Sequence, residues 1–546
     1  MSFFDIPELA EQVGYHLTSR DLTICIRVSK TWNTIFTPHF WHTVPPLPSP
    51  NGSVFSKWPY FRHPQYFRQF AQEDYHAAQQ ELGGHLDKDN RNNHPLPPFS
   101  RNGHLIRVLG LDQHRLRDPQ VQRFGFRKSR PQSSKNSTKA GPIRNPTDLE
   151  LLYYLLGRCT NLTRLWLLGC IKVDELEPWK RIVRTGLPET LTDLTIKLDL
   201  RSLRVSSVDP SWIHALSACV QLQSLRLGMI NSVSLHHLTS ALRSGLPNLD
   251  SIRLDNSPLD TTDRDNMDML AASHTGWRSI AIPRIGPLAV QASIQQCSTL
   301  EELDLTMAYG LTSRDMQQIL SYSHRLVTFV TLERDYRDSY SIKETTHIMA
   351  TDFIDADPSS NSLKPWACEL SLKVFRAKIS GIPRPDIVRT FHGHPVKNGM
   401  VLQEAHSGQS QEILHRVYER LGRLTRLERL ELGQEGRNTF GVTRTFDESA
   451  EAETLEDEDQ QYDCLDMNIR SGLRMLEGLK QLRELSVMRM ATLVGVKEVQ
   501  WMIQSWPKLN RLVGLNHGKS YGAYKWLREH YPKIQSFQCD WDRIFE

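Results

Sequence analysis

With 546 residues the chain is too long for one ordinary hydrophobic core, which predicts several domains or a repeat architecture. Its 66 Lys and Arg residues nearly balance its 62 Asp and Glu residues, and a formal net charge of +4 gives no electrostatic support for nucleic-acid binding. Hydrophobic residues make up 39% of the chain, below the usual globular share, so part of it is expected to be loop or insertion.

Targeting and redox signals favour the cytoplasm, the nucleus or both. The first 22 residues carry acidic and polar side chains where the apolar core of a signal peptide would lie. The longest apolar runs are too short to span a bilayer, so no membrane contact is expected. Eight cysteines without a Cys-x-x-Cys pair indicate reduced thiols and predict no disulfide framework and no metal site.

Residues 4–44 have the spacing of several short helices. Asp5 can cap a helix whose first turn contains Pro7 and Glu8. Apolar residues then recur at helical intervals until a proline-rich run begins at Pro45. They are Leu9, Val13, Leu17, Leu22, Ile26, Val28, Trp32, Ile35, Phe40 and Trp41. A unit of this size is at the lower limit for folding alone, so a partner is expected to cover its remaining apolar surface.

A linker with one helix is predicted next. Proline-rich ends flank a stretch of helical composition from Tyr66 to Leu86. Its aromatic residues, among them Phe70 and Tyr75, are expected to pack the helix onto the first repeat. An aromatic peptide-binding surface is the alternative.

A four-position apolar pattern recurs over residues 101–546. In one complete copy Cys159 is followed by Leu162, Leu165 and Leu167, and good copies are often separated by roughly 23 to 31 residues. Each Leu-x-Leu segment is expected to be a short strand with both leucines inward. Helical spacing between strands predicts helices that cover them, so that stacked repeats share one core.

Three stretches interrupt this pattern and are predicted to lack stable structure. Residues 123–144 contain seven basic and no acidic residues, residues 383–410 are rich in Gly, Pro and His, and residues 447–466 contain ten acidic and no basic residues. A solvated loop is the favoured interpretation of the basic stretch, ahead of a nuclear-localisation or phosphate-contacting segment. The predicted organisation is an N-terminal module over 1–45, a linker over 46–100 and repeats over 101–546.

The two parts resemble known families. Ile6-Pro7-Glu8-Leu9, the spacing from Val28 to Trp32 and the closing Phe40-Trp41 resemble an F-box, with Ile6 in place of the family's opening Leu and one residue fewer between Pro and Glu. The repeats resemble cysteine-containing leucine-rich repeats. The resemblance implies an α/β fold class: a short all-helical F-box, then a curved leucine-rich-repeat solenoid with a parallel β-sheet on its concave face and helices outside.

An F-box joined to leucine-rich repeats implies the substrate-recognition subunit of a Skp–cullin–F-box ubiquitin ligase, which is not itself an enzyme. The F-box docks a Skp-family adaptor and through it a cullin, and the repeats bind an unknown protein substrate. The candidate adaptor contacts are Pro7, Leu9, Val13, Leu17 and Trp41. The candidates for the module's own core are Leu22, Val28 and Trp32. Ordinary core packing is an equally good interpretation of each.

Two other functions stay open. One is an F-box scaffold that binds its adaptor without ubiquitin transfer. The other is a regulator of a small GTPase, against which the N-terminal module argues.

Strand residues that alternate with the core leucines are the candidate substrate contacts. Trp166, Arg226 and Arg253 occupy such positions, and Trp and Arg are favoured anchors at interfaces. We hypothesise a basic and aromatic patch for an acidic or phosphorylated segment. The alternative is that these side chains lie on a solvent-exposed sheet and bind no partner.

The sequence offers no catalytic residue, cofactor or metal site. Gly514 and Gly518 precede a Lys-Ser pair, but three residues separate the glycines where a phosphate-binding loop needs four. His392 and His394 lack a third nearby ligand. A Gly-x-Ser-x-Gly nucleophile elbow is absent.

Overall fold

A computed structural model provides the structure of the chain. It describes residues 12–14, 16–17, 19–44, 71–77, 102–112, 148–172, 189–199, 213, 216–228, 232–255, 261–306, 308, 310–332, 347–355, 362–382, 390–391, 394–395, 408–433, 464–488, 490, 492–515 and 521–536. The chain forms two compact units. The first comprises Met1–Leu249 with Ala272–Thr275, and the second comprises Asp250–Ala271 with Gly276–Glu546.

In its described part, the first unit contains a parallel sheet whose strands neighbour one another in chain order. These strands are β1 (Thr43–Val44), β2 (Val108–Asp112), β3 (Arg164–Lys172), β4 (Asp193–Asp199) and β5 (Ser224–Gly228). Its helices include α1 (Ser19–Val28), α2 (Lys30–His42), α3 (Asp148–Arg158) and α4 (Ser232–Gly245), with a 3-10 turn at Gly103–Leu105. Residues 71–77 are also helical. The parallel strands and intervening helices are those that the repeat pattern predicts.

Leucine-rich rows form the core of this sheet. Leu109, Leu165, Leu194 and Leu225 pair in register on neighbouring strands, and each is at most 1% exposed. Alternate strand residues point to opposite faces of a sheet. Every second residue of these strands therefore points into the core, and the residues between them point to the other face. The predicted inward direction of the leucines is confirmed.

The cysteine that opens several repeats is part of the same core. Burial raises the pKa of the Cys159 thiol to about 12 and that of the Cys219 thiol to about 11. Both thiols therefore stay neutral at physiological pH and pack as small apolar groups. Their location explains why cysteine and leucine alternate at this position of the pattern.

The described part of the second unit repeats the arrangement. Its main parallel strands are β6 (Ser251–Asp255), β7 (Ser279–Ala281), β8 (Glu302–Asp304), β9 (Thr328–Val330), β11 (Val374–Arg376), β15 (Arg429–Glu431), β16 (Glu484–Ser486) and β17 (Arg511–Val513). Two short pairs accompany them, β10 (Ile348–Met349) with β12 (Ile379–Ser380) in parallel and β13 (Thr390–Phe391) with β14 (His394–Pro395) antiparallel. The helices are α5 (Asp263–Leu270), α6 (Pro287–Gln295), α7 (Ser313–Tyr322), α8 (Ala350–Phe353), α9 (Gly408–Gly422), α10 (Val496–Ser505) and α11 (Tyr521–His530), with 3-10 segments at Ile469–Ser471 and Leu473–Gly478.

Helix starts in the second unit are specified by local side chains. Thr262 and Asp265 form a capping box at α5, and Thr312 and Asp315 form the same box at α7. In each box the threonine hydroxyl accepts from one backbone amide and the aspartate carboxylate accepts from another. The sequence between strands therefore encodes where each covering helix begins.

Neighbouring repeats are also joined through a helix terminus. The Asp263 carboxylate accepts hydrogen bonds from the amides of Gly286, Leu288 and Ala289, at 2.8, 2.8 and 3.1 Å. A carboxylate at this position satisfies free amides and complements the positive end of the α6 dipole. One side chain at the start of α5 thus stabilises the start of the next helix.

A buried arginine orders the stretch between β9 and β11. Arg420, on α9, has a side chain with no solvent exposure and lies 5.0 Å from the ring centroid of Trp366. Its guanidinium donates to the backbone oxygens of Phe353, Lys364 and Asp355 and to the carboxylate of Glu369. These bonds attach an irregular segment to a regular helix, where the repeat pattern in the sequence is weakest.

Two of the predicted insertions extend too far. Within 383–410, residues 390–391 and 394–395 pair as strands and residues 408–410 begin α9. Within 447–466, Cys464, Leu465 and Asp466 are buried, and Asp466 accepts a hydrogen bond from the Tyr418 hydroxyl at 3.0 Å. A few contacts suffice to order the last residues of a stretch whose composition resembles that of a loop. The basic stretch 123–144 lies outside the described residues.

The structure also contains strands that the pattern missed. At β11, Cys368, Leu372, Phe375 and Ala377 are fully buried, with one more residue between the first two than in other copies. Phe375 replaces a leucine and stacks on Phe329 of β9 at 5.8 Å. The aromatic pair preserves the core although the spacing departs from the pattern.

Candidate functional site

The N-terminal module has its own small core. In α1 and α2, Leu22, Phe36 and Phe40 are buried, at 5%, 1% and 7% exposure. The residues that pack against them with part of their surface exposed are Leu17, Cys25, Ile26, Trp32, Ile35 and Trp41. The prediction that Leu22 and Trp32 belong to the module's core is therefore confirmed.

Specific hydrogen bonds set the turn between the two helices. Ser29 caps α2, and its hydroxyl accepts from the Trp32 amide at 3.1 Å. The Asn33 side-chain amide donates to the Ile26 carbonyl at 2.9 Å. Gly14 lies against the His39 ring, where a Cβ would come within 2.5 Å of it. The hairpin geometry thus depends on polar residues as well as on the apolar pattern.

Two aliphatic residues of α1 remain outside this core. Ile24 and Val28 are each 58% exposed. At about 100° per residue they share one side of the helix, roughly opposite Leu22 and Ile26. The prediction that Val28 is a core residue is wrong, because a two-helix packing buries only one stripe of α1. We call Ile24 and Val28 the exposed α1 pair.

The predicted adaptor contacts have different locations. Pro7 and Leu9 lie outside the described residues. Val13 is half-buried, and Leu17 and Trp41 pack against the module's core. Their role as adaptor contacts stays a prediction. The exposed α1 pair was not among the candidates, although its four-residue spacing is visible in the sequence.

The module continues directly into the sheet. His42 ends α2, and Thr43 and Val44 pair in parallel with Val108 and Leu109. The Arg107 amide donates to the His42 carbonyl at 2.9 Å. Helices and strands are therefore hydrogen-bonded to each other within the first unit.

A polar strand face lies on the side of the strands away from the leucine rows. In the first unit, one row of this face contains Arg164, Asp193 and Ser224, paired in register on β3, β4 and β5. The next row contains Gly110, Trp166, Thr195 and Arg226. Trp166 and Arg226 thus lie in one row with Thr195 between them.

Trp166 is half-buried and bonded to the neighbouring strand. Its indole N–H donates to the Asp193 carboxylate at 3.3 Å. Burial raises the pKa of Asp193, and hydrogen bonds from Trp166 and Ser224 together with the charge of Arg164 act in the opposite direction. The prediction located Trp166 correctly on this face, and the structure adds a polar partner for its ring.

Positive charge collects where the module meets the strands. The pKa of His42 is lowered by burial and by the nearby Arg107, His39 and Arg164. Arg164 is exposed, and the guanidinium of Arg107 donates to the Asn161 carbonyl at 3.0 Å. His42 and Arg107 were not predicted as site residues, since they meet Arg164 only through pairing of β1, β2 and β3.

Arg253, the third predicted contact, lies in the second unit and has acidic partners there. Its guanidinium pairs with Asp255 at 3.0 Å and with Asp304 at 2.7 Å. The expectation of a positive charge available to a partner does not fit this arrangement, because two carboxylates of the same face already neutralise it.

Further along the second unit, a chain of ion pairs occupies the polar strand face. Arg376 pairs with Glu431, which also binds Arg429. Arg429 and Arg511 both bind Glu484, at 3.3 and 2.7 Å. The side chains of Arg376 and Glu431 are 7% and 3% exposed. We call these five residues the ion-pair ladder, and its charges are largely satisfied within the unit.

Within the part of the chain that the structure describes, no three His, Cys, Asp or Glu side chains come together to hold a metal ion. Among the same residues, no helix is long and apolar enough to cross a membrane. Gly514 has φ 96°, and a Cβ there would lie 2.6 Å from the Met488 backbone nitrogen, so this glycine is required by the backbone.

The described strands and helices define a mixed α/β repeat protein built on parallel sheets. No protein-family model and no curated protein match the chain. Among solved structures it is similar to the crystal structure of the Rad7 and Elc1 complex in yeast, at 12% identity over 88% of this chain and 94% of that chain, with a TM-score of 0.40. At that TM-score the similarity carries no argument about function.

Proposed function

We propose that the chain is the non-catalytic, substrate-binding subunit of an SCF-type ubiquitin ligase. Its N-terminal module docks a Skp-family adaptor, which links it to a cullin, and the polar strand face holds the substrate protein. The subunit contributes proximity: it raises the effective concentration of a substrate lysine near the conjugating enzyme.

The exposed α1 pair is the observation that supports docking most directly. Ile24 and Val28 leave two aliphatic side chains in solvent on a module whose small core is already formed by other residues. Adjacent exposed aliphatic groups are a common feature of protein-binding surfaces. Together with the F-box resemblance of the flanking residues, they give the module a face suited to an apolar partner groove.

The connection to the sheet supports the second half of the proposal. Because α2 ends at His42 and β1 begins at Thr43, no spacer separates the module from the first strand. Backbone hydrogen bonds between β1 and β2 then hold the module against the repeats. An adaptor bound to the module would thereby be held at a defined distance from the strand face of the same unit.

The test is binding of the full-length chain to a purified Skp-family adaptor, measured by calorimetry. The double variant Ile24→Ser, Val28→Ser should weaken binding by about 30-fold or more, as expected for loss of interface hot spots. Its control is Val233→Ser, which removes an equally exposed aliphatic side chain, at 57%, from α4. Unchanged affinity in the double variant, with circular dichroism showing native folding, would refute docking through α1.

Assembly with a cullin distinguishes the proposal from the scaffold function. The chain, adaptor and cullin should elute as one complex in size-exclusion chromatography. An adaptor complex that excludes the cullin would contradict the ligase function and favour an F-box scaffold without ubiquitin transfer.

A further inference from the structure

We propose that the first unit binds an acidic, carboxylate-rich segment of its protein partner on the strand face around Arg164 and Trp166. This inference deepens the proposed function and rests on it only in calling that partner a substrate. We call the surface formed by His42, Arg107, Arg164, Trp166 and Arg226 the basic strand surface.

Strand register brings these residues together. Arg164 opens β3 and is exposed, and Trp166 lies two residues further on the same face. Gly110 on β2 and Thr195 on β4 flank Trp166 in register, so only small side chains stand beside the indole on the neighbouring strands. A half-buried ring with small neighbours can contact the aliphatic or aromatic part of a bound segment.

The charge of this surface is positive. Arg164 lies beside one carboxylate of its row, Asp193. That carboxylate is already engaged by the Trp166 indole and by Ser224. Arg107 adds a further guanidinium beside Arg164 at the start of the strands. The described side chains of the surface therefore carry more positive than negative charge.

His42 lies close to the same positive charges. Apart from burial, the groups that lower its pKa are all cationic: Arg107, His39 and Arg164. A partner that brought carboxylates to this surface would oppose those charges and favour the imidazolium form.

In the second unit, the arginines of the polar strand face are paired with carboxylates. Arg253 has two carboxylate partners there, and each arginine of the ion-pair ladder has at least one. An acidic segment would gain little from arginines that are already paired. Recognition of carboxylates is therefore assigned to the first unit and does not include Arg253.

The test uses a short fluorescein-labelled peptide rich in Glu and Asp, with fluorescence anisotropy of the full-length chain. The same peptide with Gln and Asn serves as the neutral probe. We expect binding of the acidic peptide only, with affinity falling as salt is raised, because exposed charge pairs are screened. Arg164→Gln should weaken binding about ten-fold, the effect of losing a charged hydrogen bond.

Arg278→Gln is the matched control, since Arg278 is another exposed arginine at a strand start and lies in the second unit. Its affinity for the acidic peptide should equal that of the unsubstituted chain. Equal affinities for the acidic and neutral peptides, or an unchanged affinity in Arg164→Gln, would overturn the proposal. Binding that requires phosphoserine in the peptide would overturn it as well, by showing that carboxylates do not suffice.

A histidine readout separates specific binding at this surface from general charge attraction. In nuclear magnetic resonance of histidine-labelled protein, the acidic peptide should raise the pKa of His42, which Arg107, Arg164 and His39 lower in the free protein. Peptide affinity should then increase as the pH falls from the pKa of His42 in the complex toward its lower pKa in the free protein. An unshifted His42 at peptide saturation would contradict binding at this surface.

The outcome of the adaptor-binding experiment does not depend on the outcome of the peptide-binding experiment. The Ile24→Ser, Val28→Ser variant should bind the acidic peptide normally, and Arg164→Gln should bind the adaptor normally. Peptide binding without adaptor binding would refute the ligase function and leave the basic strand surface intact. The reverse result would refute the surface and leave the ligase function standing.

Discussion

The two units use one repeat pattern, yet they treat the charges on their polar strand faces in opposite ways. In the second unit the ion-pair ladder binds its charges to one another, and Glu431 is almost fully buried. In the first unit Arg164 is exposed, and Asp193 is the carboxylate in its rows. The same backbone position can thus serve stability in one unit and recognition in the other.

The energetic reason lies in burial. A buried charge that loses its partner is costly, whereas an exposed pair contributes little. We therefore expect substitutions in the ion-pair ladder to lower stability. Substitutions of charged residues in the basic strand surface should leave stability nearly unchanged. Substitutions in each unit can break or sharpen this distinction.

The largest effect is expected for Glu431→Ala. The change leaves the guanidinium groups of Arg376 and Arg429 without a carboxylate that both of them bind. We expect the second unit to lose about 3–5 kcal/mol of unfolding free energy. Hydrogen–deuterium exchange should show faster exchange in β11 and β15, while β3 and β4 keep their protection.

Glu302→Ala is the matched control for that substitution, because Glu302 is an exposed carboxylate on β8 of the same unit. It should change stability by at most about 0.5 kcal/mol. If both variants exchange alike, the ladder has no special structural role.

A smaller effect is expected for Trp166→Phe. Phenylalanine keeps an aromatic ring on the strand but cannot donate to the Asp193 carboxylate, which the indole N–H reaches at 3.3 Å. The cost should be about 0.5–1.5 kcal/mol, measured by amide exchange of β3 and β4. Trp526→Phe, at a tryptophan stacked on His530 in α11, should leave exchange in those strands unchanged. Full protection in Trp166→Phe would mean that the hydrogen bond does not stabilise the sheet.

The smallest effect concerns the pH dependence of the first unit. Burial raises the pKa of Asp193, so the folded chain holds this proton more tightly than the unfolded chain does. The resulting stabilisation is present below the unfolded pKa of about 3.9 and is lost as pH rises to the raised folded value. Asp193→Asn should remove this loss, so its stability relative to the unsubstituted chain should increase over that window. Parallel pH profiles of denaturant unfolding would contradict the shift.

Repeat strands were predictable wherever the pattern was regular. The spacing from Cys159 to Leu167 identifies β3 because it depends on residues adjacent in sequence. At β11 one extra residue and Phe375 in place of leucine concealed a strand that is fully formed in the structure. Ring stacking with Phe329 replaces the missing leucine contact, and single-sequence spacing does not contain that pairing.

The sequence predicted which strand face the candidate site residues occupy, but not which groups they contact. Trp166 and Arg226 were correctly assigned to one strand face, since alternation alone determines which residues share it. Val28 was assigned to the core and is exposed, because the helical spacing of α1 fits two faces and only its packing partner selects one. Arg253 was expected to be available to a partner, and its carboxylate partner Asp304 lies on another strand.

The sequence by itself determined the repeat, the inward leucines and cysteines, and the change of character after the first 44 residues, all of which arise from short-range periodicity. Only the tertiary structure decided which charges lie beside a group of opposite charge. Arg376 and Glu431 are 55 residues apart. His42, Arg107 and Arg164 lie at or next to the starts of three different strands, β1, β2 and β3. Electrostatic interactions depend on distance in space and on burial, and strand pairing determines both.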